Sequence, residues 1–451
     1  NLPEIGALAV DKGTVHFVAS EHGADIRTDF TIAVPLRLAP PVASSSAPRA
    51  HSGATPDAAL PLSFSAKGTW QKEPFTARGR TGNVLYLREA LEHPFPAEFE
   101  ATAANTTLRA KGAIASLATL EGANASFTIQ GNDLQELYQL VGMVLPATPR
   151  YSLHGRLSKQ DEVWHIREID GKLGNSDLRG ELAFDRRVAV PLLTGKLESV
   201  NLDFGDLAPL VGLQEQPRSA AGVPEVKGKR PAPVRTAGAR DDKVLPTAEL
   251  DVDRLRRMNS DVTYQAARIT HVKKLPLDRM SLRVRLKDGV LNLEQMNLGV
   301  AGGSLAGTIR IDGAKEPAVA EVHLDVRSLH LGRLFPDAKL TAASVGTIHG
   351  DIDLKGRGNT VAKMLATSDG AMALLMGKGQ MSNLLMEIAG IDGAEIIKFF
   401  MQGDQNVQLR CGAAAFDVST DLDPVTPGIQ NTRRLSNSWD AVTGTLNLDW
   451  T

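Results

Sequence analysis

Residues 163–185 read VWHIREIDGKLGNSDLRGELAFD, and residues 290–312 read VLNLEQMNLGVAGGSLAGTIRID. The two segments align without a gap. Apolar residues match at Val163/Val290, Ile166/Leu293, Ile169/Met296, Leu178/Leu305 and Leu182/Ile309, and Gly180/Gly307 and Asp185/Asp312 also coincide. Each copy is a strand-like run, a Gly/Asn turn and a returning run, so one supersecondary unit is reused along a sheet. NTTLRAKG at 105–112 is a third, weaker echo.

Outside the repeats, period-two alternation dominates. From Asp25 the even positions are Ile26, Thr28, Phe30, Ile32, Val34, Leu36 and Leu38, and the odd ones are Asp25, Arg27, Asp29, Thr31, Ala33, Pro35 and Arg37. One face is apolar and the other wet, as in a half-buried antiparallel strand. The pattern recurs at Phe127/Ile129, Leu282/Val284/Leu286, Val322/Leu324/Val326 and Ile352/Leu354. Gly, Asn and Asp punctuate these runs at hairpin-like intervals. The expected fold is mainly β: a long, largely antiparallel sheet of strand–turn–strand units with a few short helices at its edges.

Four helices are expected. In 131–142 Asp133 is an N-cap with Glu136 three residues on, Gly142 is a stop, and Leu134, Leu137, Tyr138 and Val141 share a face. Residues 202–212 are its counterpart and 360–370 a third. The longest candidate, 380–401, carries Met381, Leu384, Leu385, Ile388, Ile396 and Phe399, with Gly390 and Gly393 dividing it. Its polar face holds Glu387, Asp392 and Glu395 against Lys398, a charge that suits a helix capping the sheet and not one lying on an anionic bilayer.

The 451 residues are 42% hydrophobic and 23% charged, with formal net charge −2. Those are globular values, and no global field draws the chain to nucleic acid. Aromatics are only 5%, so the apolar surface is aliphatic, which suits a core and equally suits acyl chains. The single cysteine, Cys411, excludes an internal disulfide. There is no run of 18 apolar residues and no signal peptide, and the chain opens mid-pattern, as a fragment with its start and any anchor upstream would.

Two stretches break the alternation. Residues 40–59 are Pro/Ser/Ala-rich, and 214–243 hold four prolines with seven basic against four acidic residues. Neither buries enough apolar side chain to offset ordering entropy. The expected organisation is a strand-rich segment (1–39), a loop (40–59), a β-repeat region (60–213), a linker (214–243), a second β-repeat region with its C-terminal helix (244–418), and an irregular tail (419–451) in which DAVTGTLNLDW reads as a closing strand pair.

No catalytic constellation, cofactor fingerprint or metal cluster stands out. GRGNT (356–360) runs from a strand into a helix but lacks the spacing and lysine of a P-loop, so a glycine turn capped by Asn359 or Thr360 accounts for it. His323 and His330 have no Cys/His companions, so they do not read as a zinc site. Asp351 and Asp353 share the polar face of one strand and read as solvated carboxylates, although the sequence alone leaves a glycosidase-type acid pair open.

Several stretches resemble the AsmA family of bacterial envelope proteins. LPEIGALAVDKGTVHF (2–17) is similar to the family's domain openings; GNDLQELYQLVGMVLPATPRYSLHGRL (131–157), GKLGNSDLRGELAFD (171–185) and NLDFGDLAPLVG (201–212) resemble its middle region; and LPLDRMSLRVRLKDGVLNLEQMNLGVAGGSLAGTIRID (275–312) resembles its later repeat. The C-terminal GQMSNLLMEIAGIDGAEIIKFFMQGDQNVQLRCGAAAFDV (379–418) carries the family's helix and its Arg410–Cys411 strand. The family's N-terminal transmembrane helix is missing, and after Val418 the family pattern is lost.

The resemblance implies a sheet curved into an apolar groove, related to chorein-type bridge proteins that move lipids between membranes. It also implies anchoring in the inner membrane, a periplasmic location, a phospholipid ligand, possible envelope-protein partners and a part in outer-membrane biogenesis, without catalysis or cofactor. The groove candidates are Ile32, Val34, Leu36, Phe127, Ile129, Leu178, Leu182, Leu282, Val284, Leu286, Leu305, Ile309, Val322 and Leu324. Two rivals remain open on sequence: an assembly or chaperone-like module working through sheet edges, and a periplasmic hydrolase. The linker reading has a direct check. Limited proteolysis should cut within 214–243 while sparing 275–312, and the reverse order of cutting would refute the expected organisation.

Overall fold

The computed structural model describes residues 7–8, 11–19, 23–32, 36–37, 60–83, 95–114, 121–207, 252–270, 277–334, 346–382, 406–409, 411–418, 436–440 and 445–449. In chain order the strands are β1 (Ala7–Leu8), β2 (Lys12–Ala19), β3 (Ala24–Ile32), β4 (Leu36–Arg37), β5 (Leu62–Trp70), β6 (Glu73–Thr81), β7 (Phe95–Ala103), β8 (Thr106–Ile114), β9 (Asn124–Gly131), β10 (Tyr151–Gln160), β11 (Val163–Leu173), β12 (Ser176–Asp185) and β13 (Leu192–Asp203). They continue with β14 (Asn259–Thr270), β15 (Leu277–Lys287), β16 (Val290–Val300), β17 (Gly303–Asp312), β18 (Val319–His330), β19 (Thr347–Arg357), β20 (Asp369–Met376), β21 (Gly379–Ser382), β22 (Asn406–Leu409), β23 (Gly412–Val418), β24 (Ser436–Asp440) and β25 (Thr445–Asp449).

Nineteen of these, β2, β3, β5 to β20 and β23, form one curved sheet in which each strand pairs with the next. No ladder among the described residues joins β2 to the far end, so the sheet is open. Eighteen intervals at about 4.8 Å give a length of about 85 Å across the strands. Every join is antiparallel except β13–β14, which is parallel from Leu192↔Asn259 to Asp203↔Thr270. β25 adds in parallel to β23 and carries β24. β1–β4 and β21–β22 are separate pairs.

The repeat is visible in the backbone. β11–β12 and β16–β17 are hairpins whose registers slip at matching places, between Ile166 and Ile169 and between Leu293 and Met296. At each slip one residue has positive φ, Glu168 at 53° and Gln295 at 51°. These bulges turn the strand without exchanging its faces. The shared glycine is explained as well. Gly180 and Gly307 have φ of 142° and 152°, and a Cβ on either would run into a carbonyl oxygen of the next strand, Lys196 and His323 respectively. Leu178 and Leu305 lie on the same face, as the repeat requires.

The strand ends define two rims. The first holds the turns at 70–73, 103–106, 173–176 and 300–303, and the second those at 160–163, 287–290 and 312–319. The helices sit on the rims. Residues 134–141 are a 3₁₀ turn (Leu134–Glu136) running into an α-helix (Leu137–Val141); the Asp133 side chain accepts from Gln135 N, and Gly142 ends the helix at φ 73°. Of 202–212, Leu202 and Asp203 end β13, Phe204–Leu207 is a 3₁₀ turn, and 208–212 lie outside the described residues. Within 360–370, Val361–Ala366 is helical and Thr360 Oγ1 accepts from Lys363 N.

The helix expected over 380–401 needs correction at its start. Residues up to Ser382 belong to β21, whose backbone pairs with β22; a short apolar run does not separate the two conformations. Residues 383–401 lie outside the described residues, as do both breaks, 40–59 and 214–243. The closing strand pair begins at Ser436, four residues before the expected segment.

The packed clusters also follow the rims. Leu202, Ala266 and Ile269 are buried under Phe204 and Leu207, and Val300, Ala301, Val326 and Leu329 under Leu334. Buried Asp206 pins the first rim by accepting from Asn175 N (2.8 Å), Ser176 N (2.8 Å) and Ser176 Oγ (2.7 Å). Asp206→Ala strands three donors, two of them on the wholly buried Ser176, and should lower unfolding free energy by about 3 kcal/mol in chemical denaturation. Loss below about 1 kcal/mol would show that water replaces the carboxylate there.

Candidate functional site: an apolar face spanning the sheet

Register places one residue type on one side. A row of directly paired residues runs Ile32–Leu62–Thr81–Ala97–Gly112–Ala125–Leu157–Ile166–Leu182 across β3 to β12. It continues Gly195–Val262–Val284–Leu293–Ile309–Val322–Leu354–Gly370–Val418 to β23. Thr81 is its one polar member. A second row, Phe30–Phe64–Gly79–Phe99–Ala110–Phe127–Gly155, alternates rings with small residues from β5 onward. A Cβ at Gly155 would lie 3.2 Å from the Phe127 ring, so the glycine leaves room for the neighbouring strand's ring.

Of the sequence-expected residues, Ile32, Phe127, Ile129, Leu178, Leu182, Leu282, Val284, Leu286, Leu305, Ile309, Val322 and Leu324 all lie on this one face. Ile32 and Leu286 are buried; the other ten are half-buried. Val34 lies outside the described residues, and Leu36 belongs to β4, in the small pair with β1 and not in the long sheet. Half-burial is the informative value. In a sandwich a second sheet would seal these positions. Here curvature and neighbouring side chains shield them in part.

The opposite face is charged. Glu100 accepts from Arg109 (3.2 Å) and Arg78 (3.4 Å), and these bonds, Arg109 first, hold its carboxyl below the usual range. Arg283 grips Asp261 through two bonds of 2.6 and 2.7 Å, which lowers the Asp261 pKa, and Lys355 does the same for Glu321 at 2.7 Å. Cross-strand pairs of this kind align strands more than they stabilise them, being solvent-screened.

A trough of about 1060 Å³ runs between such rows, with Arg78, Glu100, Arg109 and Arg156 in its walls alongside Phe99 and Phe127. Asp351 and Asp353 point the same way, and Asp353 is bonded to His323, so it is no free acid. No group of three His, Cys, Asp or Glu among the described residues is placed to hold a metal. No helix among them is long and apolar enough to cross a membrane.

One further feature lies outside the sequence-based expectations. Between β9 and β10 the chain leaves the first rim and folds over the apolar face, where Met143, Val144 and Leu145 pack with Phe184, Leu193 and Met258. The apolar run GMVLP directly after a helix stop was the available signal.

A long open sheet of repeated hairpins with one apolar face is the class of protein that the fold defines. The chain matches the AsmA family over residues 64–420 and belongs to it. It is 33% identical over 362 residues to the AsmA family protein YhjG of Escherichia coli (strain K12), an alignment covering 79% of this chain and 52% of that protein. The chain therefore spans about half the length of this curated relative. No solved structure matches it.

His323 offers a check on the charged face. Asp353 raises its pKa above the ordinary value of about 6.5 by hydrogen bonding and charge. The pair therefore contributes fully below the unfolded pKa, and its contribution disappears as pH rises through the folded value. An NMR titration should place the His323 midpoint above that of a free histidine, and Asp353→Asn should bring it back. Equal midpoints in both proteins would mean that the pair does not form in solution.

Proposed function

We propose that this chain binds and conducts phospholipid, or another acyl-chain lipid, along its apolar face without catalysing a reaction. The observation that carries the reading is the 18-residue row, apolar but for Thr81, whose central members are half-buried and unsealed by any second sheet among the described residues. An apolar strip of such length far exceeds the patches a soluble monomer leaves uncovered. Acyl chains supply a cover that is aliphatic, extended and indifferent to sequence.

Membership of the AsmA family supports placing this activity in the periplasm, with attachment to the inner membrane and service to outer-membrane biogenesis. A second reading, an assembly module acting through sheet edges, draws on β2. Val15, Phe17 and Val18 there are 52%, 51% and 59% exposed, on a strand whose outer edge pairs with nothing among the described residues.

Val284→Asp tests the conduit. It places a carboxylate mid-row, between Val262 and Leu293. In a sealed core an uncompensated charge costs several kcal/mol and unfolds the protein. On an open lipid face it stays hydrated when the lipid leaves, so the variant should fold and lose most co-purifying phospholipid by native mass spectrometry. Thr308→Asp, on the charged face opposite His323, should keep its lipid. A folded Val284→Asp protein with its full lipid complement would remove this face as the conduit, and a captured peptide in place of lipid would favour the edge reading.

A further inference from the structure

The excursion between β9 and β10 is fastened to both rims. Its base is closed at the first rim, where Asp133 Oδ1 accepts from Thr148 N (2.9 Å) and Thr148 Oγ1 accepts from Leu134 N (2.9 Å). Two more first-rim groups hold its helix: Trp70 Nε1 donates to Leu140 O (3.1 Å) and Asn105 Nδ2 to Glu136 Oε1 (3.1 Å). The other side of the same helix meets the second rim. Arg257 Nη1 donates to the Tyr138 hydroxyl (2.9 Å), the Arg254 and Arg257 guanidiniums lie 5.7 and 5.6 Å from the Tyr138 ring centre, and Arg254 reaches Gln135 O at 3.4 Å. Arg254 and Arg257 belong to the second rim, because Asn259 begins β14 there, bonded to Pro191 O, and Arg256 donates to Gly313 O. The two rims are therefore joined across the apolar face by one short helix.

Beyond Gly142 the chain turns inward. Met143 is buried in a cluster with Phe184, Leu193 and Met258, and Val144 and Leu145 pack against that cluster, as do Ile166, Leu182 and Val262 from the sheet. Those three are consecutive or near-consecutive members of the apolar row. Protein and acyl chain cannot occupy that surface together.

We propose that residues 133–148 form a gate across the lipid path, a proposal that rests on the lipid reading above. On one side the apolar face is rich in phenylalanine, with Phe30, Phe64, Phe99 and Phe127; on the other it is aliphatic, with Val284, Ile309 and Val322. A lipid tail passing between them displaces Met143–Leu145. The base at Asp133 and Thr148 stays fixed at the first rim while the second-rim contact lets go. That contact is suited to release: it includes the Tyr138 hydroxyl bond, a long bond from Arg254 to Gln135 O and cation–π contacts, and Arg257 is solvent-exposed.

The test uses the whole chain and transfer of pyrene-labelled phospholipid between phosphatidylcholine vesicles. Arg254→Gln with Arg257→Gln loosens the latch. Transfer should rise at least threefold, and hydrogen exchange should quicken in 134–148 but not in β11 or β12. For the closed state, Tyr138→Cys with Arg257→Cys in a Cys411→Ser background is bridged by a cleavable bismaleimide. Transfer should fall at least threefold and recover on cleavage. Wild-type transfer that neither manipulation alters overturns the gate and leaves the lipid reading standing. A wild-type chain that neither binds nor transfers lipid overturns both.

Discussion

Between its two ends, each side chain of the apolar row is positioned by backbone ladders to the strands on either side. Because side chains alternate with a period of two residues, a one-residue slip in any ladder would carry all later apolar residues to the wet face. Register is thus the constraint on which the structure depends. The bulges at Glu168 and Gln295 show how it is kept: each absorbs an extra residue within one strand, and the partners beyond it resume on their proper faces. Ion pairs of the charged side tie the strands in that register: Arg109 sits directly across from Glu100, and Arg283 reaches diagonally to Asp261 from its place opposite Thr263.

The same constraint explains where the protein is tightly packed. Among the described residues, outside the stretch covered by Met143–Leu145, the apolar face of the strands carries no second layer, and its leucines and valines are half-buried. Tight packing gathers under that excursion and at the rims, where Phe204, Leu207, Leu334 and the helix at 361–366 fold over the strand ends. Cooperativity in such a molecule is passed strand to strand, as in other repeat folds. Contacts that join strands far apart in the order, like those of Tyr138 and Trp70, are correspondingly few.

Much of this was legible in the sequence because hairpins are local. Alternation at 282–286 and 322–326 reported the apolar face, and the gapless match of 163–185 with 290–312 reported the shared hairpin and its glycine, though not the bulge that both copies carry. Single-residue chemistry near turns was legible too: Asp133, Gly142 and Thr360 cap as expected. Alternation failed at Leu36, where a regular pattern continued beyond the strand that generated it, and at 380–382, where helix and strand periods are indistinguishable over three residues. It was silent about the excursion over the groove. That segment is held by Trp70, Asn105, Arg254 and Arg257, partners up to 119 residues away, and no local period encodes such pairings.

The parallel ladder between β13 and β14 has a consequence for how such a molecule grows. In an antiparallel meander each added strand reverses the chain, so length increases in pairs and both ends stay committed to particular rims. At β13–β14 the chain ends one strand at the first rim and starts the next at the second, which resets its direction without spending a strand. That join is a splice. Blocks with odd or even numbers of strands can be set side by side there while the hydrophobic side remains continuous, so the reach of the protein is free to vary by whole blocks while its cross-section stays the same.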